Sequence, residues 1–193
     1  SPSDFRNVSD EDLFDYQAYT SSLEPAERDS FFISGSLTGL DTLESTFELG
    51  YVKNTAHSTF APAPIFIAFE EMPISISAAN QYNPFAEDII DARIRLLGLG
   101  PRVQTNRSET FRANSKLMGT LGDGEWQVSL NWSENKAMEQ WHNLVDAERL
   151  ALGLGSSMDC ASSEGCVPIN FFGSPDAITD EQNNYIRAHA VNR

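Results

Sequence analysis

Two cysteines and three histidines are the residues of this chain best suited to chemistry. Cys160 and Cys166 stand six apart in SSMDCASSEGCVPIN. A redox or zinc site would want C-x-x-C spacing or further ligands close by. Neither is present, and His57, His142 and His189 are scattered along the chain. With Ser, Gly and Glu between them, the cysteines read as a small disulfide-closed loop in an oxidising compartment, with two unpaired thiols as the alternative. Nucleophilic catalysis finds no G-x-S-x-G elbow. The pairs Gly98/Gly100 and Gly153/Gly155 lack a third glycine and a preceding parallel strand, so they read as helix stops, not a dinucleotide loop. The run Asp10-Glu11-Asp12…Asp15 lacks the spacing of an EF-hand and reads as a solvated acidic helix start. No signature selects a glycosidase pair from the 28 Asp+Glu. The Asn7, Asn106 and Asn131 sequons are short enough to arise by chance and are discounted. An enzyme is therefore not expected, and no cofactor or metal is called for.

The positioning elements come next. The chain has 193 residues, within the range of one domain. Thirteen Lys+Arg against 28 Asp+Glu give a formal charge of −15. That balance argues against a nucleic-acid surface and against adhesion to anionic lipid head groups. At 40% hydrophobic and 21% charged, the chain is too apolar for a disordered tail. Its apolar runs fall well short of the ~20 residues a membrane helix needs, which leaves a membrane β-barrel open. No signal-peptide pattern follows Ser1.

Two blocks carry strand pattern. Residues 29–60 read as a first hairpin turning at Gly39-Leu40-Asp41-Thr42, and residues 106–141 as a second turning at Gly122-Asp123-Gly124. Phe47, Leu49 and Tyr51 alternate with Glu48, Gly50 and Val52. Phe111, Ala113, Ser115, Leu117, Gly119 and Leu121 alternate with Arg112, Asn114, Lys116 and Thr120. Trp126, Val128, Leu130 and Trp132 alternate with Glu125, Gln127, Ser129 and Asn131. One face is apolar and aromatic and the other charged, as in a soluble sheet packed on one side or a strand facing lipid. Phe31, Tyr51, Phe111, Trp126 and Trp132 are core aromatics on the first reading and lipid-facing on the second. Glu48, Arg112, Lys116 and Gln127 are an ordinary solvated face or a lumen wall.

Connection lengths favour the barrel. The hairpin turns are short, whereas residues 61–105 and 142–193 form long connections, an asymmetry typical of outer-membrane barrels. Residues 1–28 read as a lead-in with a helical turn capped at Ser9. The first long connection holds an expected extended stretch from Pro62 to Pro73, then a helix near 86–97 with Ile89, Ile90, Ile94, Leu96 and Leu97 on one arc. The second holds the cysteine loop, a helix in VDAERLALGLG, and another helix capped by Thr179 with Glu181 close behind, ending at the start of a next strand or helix.

Three stretches resemble TonB-dependent outer-membrane receptors. They are FDYQAYTSSLEPAERDSFF, then Asn80-Gln81-Tyr82-Asn83-Pro84-Phe85 after ISISAAN, then Cys160…Cys166-Val167-Pro168-Ile169-Asn170-Phe171-Phe172-Gly173 with Ile178-Thr179-Asp180-Glu181-Gln182…Tyr185-Ile186. Their order and spacing match that family and span nearly the whole chain. The plug, the TonB box and the terminal aromatic strand are missing, so the resemblance implies an internal piece of the barrel.

That resemblance implies a mainly β fold: antiparallel hairpins of a transmembrane β-barrel with short helices in long loops, in a bacterial outer membrane. It implies a transporter for a scarce solute such as a siderophore, oligosaccharide or cofactor, energised by TonB through the absent plug. The expected partners are that solute, TonB and outer-membrane lipid, with no nucleic acid. Ligand-loop candidates by position are Tyr82, Asn83 and Phe85 in one loop and Phe171 and Phe172 in the other, which serve equally as loop-packing anchors. The cysteine pair becomes a structural staple of its loop. An isolated piece has open strand edges, which either pair with another copy or leave loops to cover the apolar face. The rival is a soluble, secreted β-rich binding module, for instance one binding carbohydrate on exposed aromatics.

Overall fold

Residues rich in Val, Phe, Tyr, Trp and Thr at period two become long strands, as the pattern demands. The computed structural model describes residues 6–7, 9, 13–20, 23–40, 43–69, 74–173 and 177–193. Strand β1 (Ala26–Leu40) pairs antiparallel with β2 (Leu43–Phe60), and the short β3 (Pro64–Phe66) pairs antiparallel with β4 (Arg93–Arg95). Strands β5 (Arg102–Leu121) and β6 (Gly124–Val145) form the second hairpin, and β7 (Arg187–Asn192) closes the order β1-β2-β5-β6-β7. The helices are α1 (Ala147–Leu154), α2 (Ser157–Ser162) and α3 (Asp180–Ile186). The fold is mainly β with antiparallel sheets.

Turn chemistry fixes the second hairpin. Gly122 has φ 61°, and Asn143 is the one non-glycine with positive φ among the described residues. Gly122-Asp123 is therefore a two-residue turn with glycine alone in the left-handed region, the II′ geometry that matches strand twist. In the first hairpin Asp41 and Thr42 lie outside the described residues, but Leu40 still pairs with Leu43 after a register shift near Thr38. Gly35 stands opposite Phe47, where a Cβ would come within 2.6 Å of the Phe47 ring. Only glycine lets that ring lie over the neighbouring strand.

The chain divides into two compact units. Unit 1 is Ser1–Leu23, Thr59–Gln104 and Trp141–Ala190; unit 2 is Glu24–Ser58, Thr105–Gln140 and Val191–Arg193. The core belongs to unit 1. Ile65, Ile67, Ile76, Leu96, Leu99, Leu150, Leu154, Ile169 and Ile186 form one buried cluster, with Phe171, Phe172 and Tyr185 packed against it.

Helix caps in unit 1 follow the sequence. The Asp146 carboxylate accepts from the Glu148 and Arg149 amides at the start of α1. Thr179 caps α3 in a reciprocal capping box, with Gln182 as the partner in place of Glu181. The expected helix near 86–97 does not form. Ile89 exchanges two 2.9 Å backbone bonds with Ile76, Ile94 pairs with Ile65, and only a 3-10 turn follows at Leu97–Leu99. Three β-branched isoleucines in the segment favour that extended pairing, and Ile90 points out, 73% exposed. Gly98 therefore stops no α-helix, and Gly153 lies inside α1, while Gly155 is its C-cap. In the lead-in the helical element is a 3-10 turn at Gln17–Tyr19, where the Asp15 side chain accepts from the Gln17 amide. Ser9 accepts from Arg6, and residues 10–12 lie outside the described ones. The Pro62–Pro73 stretch is extended through β3 and turns 3-10 at Ile67–Phe69; residues 70–73 lie outside the described ones.

Candidate functional site

Two regions could carry function: the strand ribbon of unit 2 and the loops of unit 1. In the ribbon, β1 and β2 set Phe31 opposite Tyr51, Ile33 opposite Leu49 and Asp29 opposite Lys53. Side-chain bonds continue the pairing from β2 to β5: His57 Nδ1 with Thr105 Oγ1 at 3.0 Å, Asn54 to Ser108 at 3.3 Å, and Asn114 to Glu48 at 3.3 Å. All three fit one antiparallel register, in which Tyr51 faces Phe111 and Lys53 faces Glu109. The turn at Gly122-Asp123 then carries Glu109 to Lys136 and leaves Phe111 diagonal to Trp132, whose rings meet at 5.3 Å.

Read across the strands, these pairs make two rows on one face. Phe31, Tyr51, Phe111 and Trp132 form an aromatic row. One pair further from the hairpin turns, Asp29, Lys53, Glu109 and Lys136 alternate in sign, and both lysines act electrostatically on Glu109. Arg107 adds to that row through its contact with Glu109, and Lys136 Nζ lies 3.1 Å from Glu134. Opposite charges across strands stabilise a pair by roughly 0.2–1 kcal/mol and so fix register. Towards the turns the same face is apolar: Ile33, Leu37, Phe47, Leu49, Leu117, Leu121, Trp126, Val128 and Leu130. All of these are exposed, Leu130 to 72%.

The other face is mainly polar, with Phe32, 66% exposed, and Val52 among its side chains. Glu48, Arg112, Lys116 and Gln127 all fall on it by alternation. Glu48, Arg112 and Asn114 line a cleft of about 260 Å³ beside Phe32. Further from the turns, Asn54, Asn106, Ser108 and Glu139 line a hollow of about 550 Å³. The ribbon thus sorts apolar from polar side chains by face, and separates an apolar zone from a charged one along the strands.

No protein-family model matches this chain, and no curated protein is significantly similar to it.

The loops of unit 1 bring together the two candidate sets that are distant in sequence. The Phe85 and Phe172 rings meet at 6.3 Å. Around them the asparagines of Asn80-Gln81-Tyr82-Asn83 act as staples. Buried Asn80 donates to the Gly153 and Gly155 carbonyls at 3.0 and 3.2 Å, and accepts from the Tyr82 amide. Asn83 donates to the Ser77 and Glu87 carbonyls at 3.0 and 3.1 Å, and accepts from the Phe85 amide. Asn170 holds the Phe172 amide in the same way. Asn83, Phe85, Phe171 and Phe172 are thereby engaged in loop packing, and Tyr82, half-buried like Asn83 and Phe85, is held through its amide. Asn80 opens one of the stretches that carry the resemblance but is not among the ligand-loop candidates. The Asn-x-x-Asn spacing, each side chain closing a turn on the residue two ahead, is the signal that could have found it.

Cys160 and Cys166 form a disulfide with Cα atoms 5.3 Å apart, and no cysteine is free. Cys160 is buried in α2, a helix that sequence reading missed because six residues are too few to show a period. Among the described residues no group of three or more His, Cys, Asp or Glu is placed to hold a metal ion. No described helix is long and apolar enough to cross a membrane, which says nothing of strands. Burial lowers the pKa of Arg95, whose guanidinium donates to the Pro62 carbonyl and lies 4.9 Å over the Phe14 ring.

Proposed function

We propose that this chain is wall and loops of a transmembrane β-barrel of the TonB-dependent receptor kind, taking up a scarce solute across a bacterial outer membrane by energised transport. One observation carries the reading: the exposed apolar zone of the ribbon, bounded by an aromatic row and then a row of alternating charge. From Phe111 to Leu121, at about 3.3 Å per residue, the zone is about 33 Å along the strand. Tilted by about 40°, that is close to the roughly 25 Å apolar band of outer-membrane barrels, with aromatics at its rim. Hydrocarbon is the occupant that such a face fits. Glu48, Arg112, Lys116 and Gln127 then line the passage. Strands β1 and β7, the two edges of the five-stranded sheet, are where neighbouring wall strands pair. Tyr82, whose side chain makes none of the loop-closing bonds described above, is the loop candidate assigned to meet the solute.

The test uses single cysteines, since the native pair is bridged. Leu49→Cys, Leu117→Cys and Leu130→Cys are compared with Glu48→Cys, Lys116→Cys and Gln127→Cys in outer-membrane preparations of the whole gene product. A membrane-impermeant maleimide is expected to label the second set and to reach the first only after detergent. Equal labelling of both sets, on a protein recovered from the soluble fraction, would instead favour a secreted binding module using Trp126 and Trp132.

A further inference from the structure

His142 and His189 are 47 residues apart in sequence, on β6 and β7, and both lie in unit 1. Their Nδ1 atoms are 3.1 Å apart and their rings meet edge to face at 5.0 Å. Both rings are exposed to solvent. We propose that they form a two-nitrogen chelate for a transition-metal dication, with Cu(II) bound most tightly and Zn(II) or Ni(II) less so.

Geometry is the first ground. Metal–imidazole bonds of about 2.0–2.1 Å put two adjacent ligand nitrogens about 2.8–3.4 Å apart, from the square to the tetrahedral angle. The observed separation falls inside that window, and chelation asks each ring only to turn its Nδ1 lone pair off the N–N line towards a shared metal. Without metal, one Nδ1–H donates to the other ring's lone pair. On binding, that ring carries its proton on Nε2 instead, both Nδ1 lone pairs go to the metal, and both imidazoles stay neutral.

The second ground is the local scaffold. Arg187, two residues before His189, donates to Asn143 Oδ1 and to the Leu99 carbonyl, the latter at 2.9 Å. Asn143, next to His142, has φ 61° and donates to the Pro101 carbonyl at 2.7 Å. Side chains next to the two histidines are therefore bonded to each other and to the Leu99 and Pro101 carbonyls, which ties β6 to β7 beside the pair. The formal charge of −15 raises the local concentration of cations. No third His, Cys, Asp or Glu joins the pair among the described residues, so water completes the coordination sphere. Imidazole pairs follow the order in which Cu(II) exceeds Ni(II) and Zn(II).

The experiment titrates the 193-residue chain in detergent with CuCl2 and ZnCl2 by calorimetry, and records pulsed electron paramagnetic resonance of the Cu(II) form. One Cu(II) per chain with two imidazole nitrogens is expected, with affinity falling on acidification as protons compete for the same lone pairs. His142→Ala and His189→Ala should each leave one imidazole and weaken binding by at least about tenfold. His57→Ala, on a ring engaged with Thr105, should change neither. His142→Gln keeps a hydrogen-bonding side chain beside His189 and separates loss of the chelate from loss of the strand contact. Unchanged affinity and nitrogen count in the two histidine variants would overturn the proposal. So would Cu(II) held by carboxylate oxygens alone in the unsubstituted chain.

Discussion

In unit 1 all the buried apolar side chains of the described residues gather, from Ala61 and Ile65 through Leu150 and Leu154 to Ile169 and Ile186. Among the described residues of unit 2 Ser58 alone is buried, while Phe31, Leu37, Leu130 and Trp132 stand open. Unit 1 is held by the removal of apolar surface from water and by helix caps. Unit 2 is held by backbone ladders, cross-strand pairs and the charge row. Water-soluble domains need the first kind of stabilisation, because an apolar sheet face that meets only water removes little apolar surface from it. The second kind suffices where another medium or another sheet covers the apolar face. One sequence therefore carries two solutions to the folding problem, and the ribbon's solution is incomplete in water.

The largest expected effect tests that contrast directly. Leu154 is fully buried and Leu130 is 72% exposed, though both are leucines. Leu154→Ala leaves a cavity in the core and is expected to destabilise unit 1 by about 2–5 kcal/mol. Leu130→Ala in the chain in water is expected to stay within about 0.5 kcal/mol. Hydrogen-exchange mass spectrometry reads the two units separately: Leu154→Ala should speed exchange in the β3–β4 pair and α1, with the ribbon little altered. Similar losses from both substitutions would show that the ribbon buries its own core after all and break the contrast.

The ribbon was legible because its information is local. Alternation at period two, turn residues such as Gly122-Asp123 and long strands are written in adjacent positions, and the structure extends both hairpins a few residues beyond the expected bounds. Unit 1 was legible at the VDAERLALGLG segment that forms α1 and at Thr179, which caps α3. Its interior was not, because the deciding contacts are long-range. Ile89 and Ile94 sit on a helical arc in sequence, yet Ile94 pairs with Ile65 of β3 and Ile89 forms an isolated bridge with Ile76. Asn80 looks like a loop residue until Gly153 and Gly155 are brought beside it. The histidines likewise look scattered until β7 returns to β6. Periodicity speaks of one element, and none of these facts belongs to one element.

An intermediate effect sharpens the account of the unit 1 loops. If the Asn-Gln-Tyr-Asn segment is a packing device, removing its buried amide should cost stability. Asn80→Ala abandons two carbonyl acceptors and the Tyr82 amide, and leaves part of that set unsatisfied; the expected cost is about 1–3 kcal/mol. Tyr82→Ala, which removes a half-buried ring but none of these bonds, should cost less, about 1 kcal/mol. Urea melts of the two variants check the difference. A stable Asn80→Ala would return that segment to the pool of ligand-contact candidates.

The smallest effect concerns the alkaline limb of unit 1. Tyr185 packs against the core with the Arg149 guanidinium 5.9 Å over its ring. Burial raises its pKa above the ordinary phenol value; Arg149 opposes the rise and Asp146 adds to it. The native state thus keeps a proton that the unfolded chain gives up near pH ~10. Because the unfolded state binds fewer protons above that point, stability falls as pH rises. The contribution is fully present below the unfolded value and is lost as pH climbs through the folded one. Tyr185→Phe keeps the ring and removes the titration. The urea midpoints of the two proteins should therefore hold a constant difference up to about pH 10 and converge on, or cross in favour of, the phenylalanine variant above it. A difference that stays constant throughout would mean that the phenol is solvated in the folded protein, and that the wall of unit 1 is more open at α3 than its packing implies.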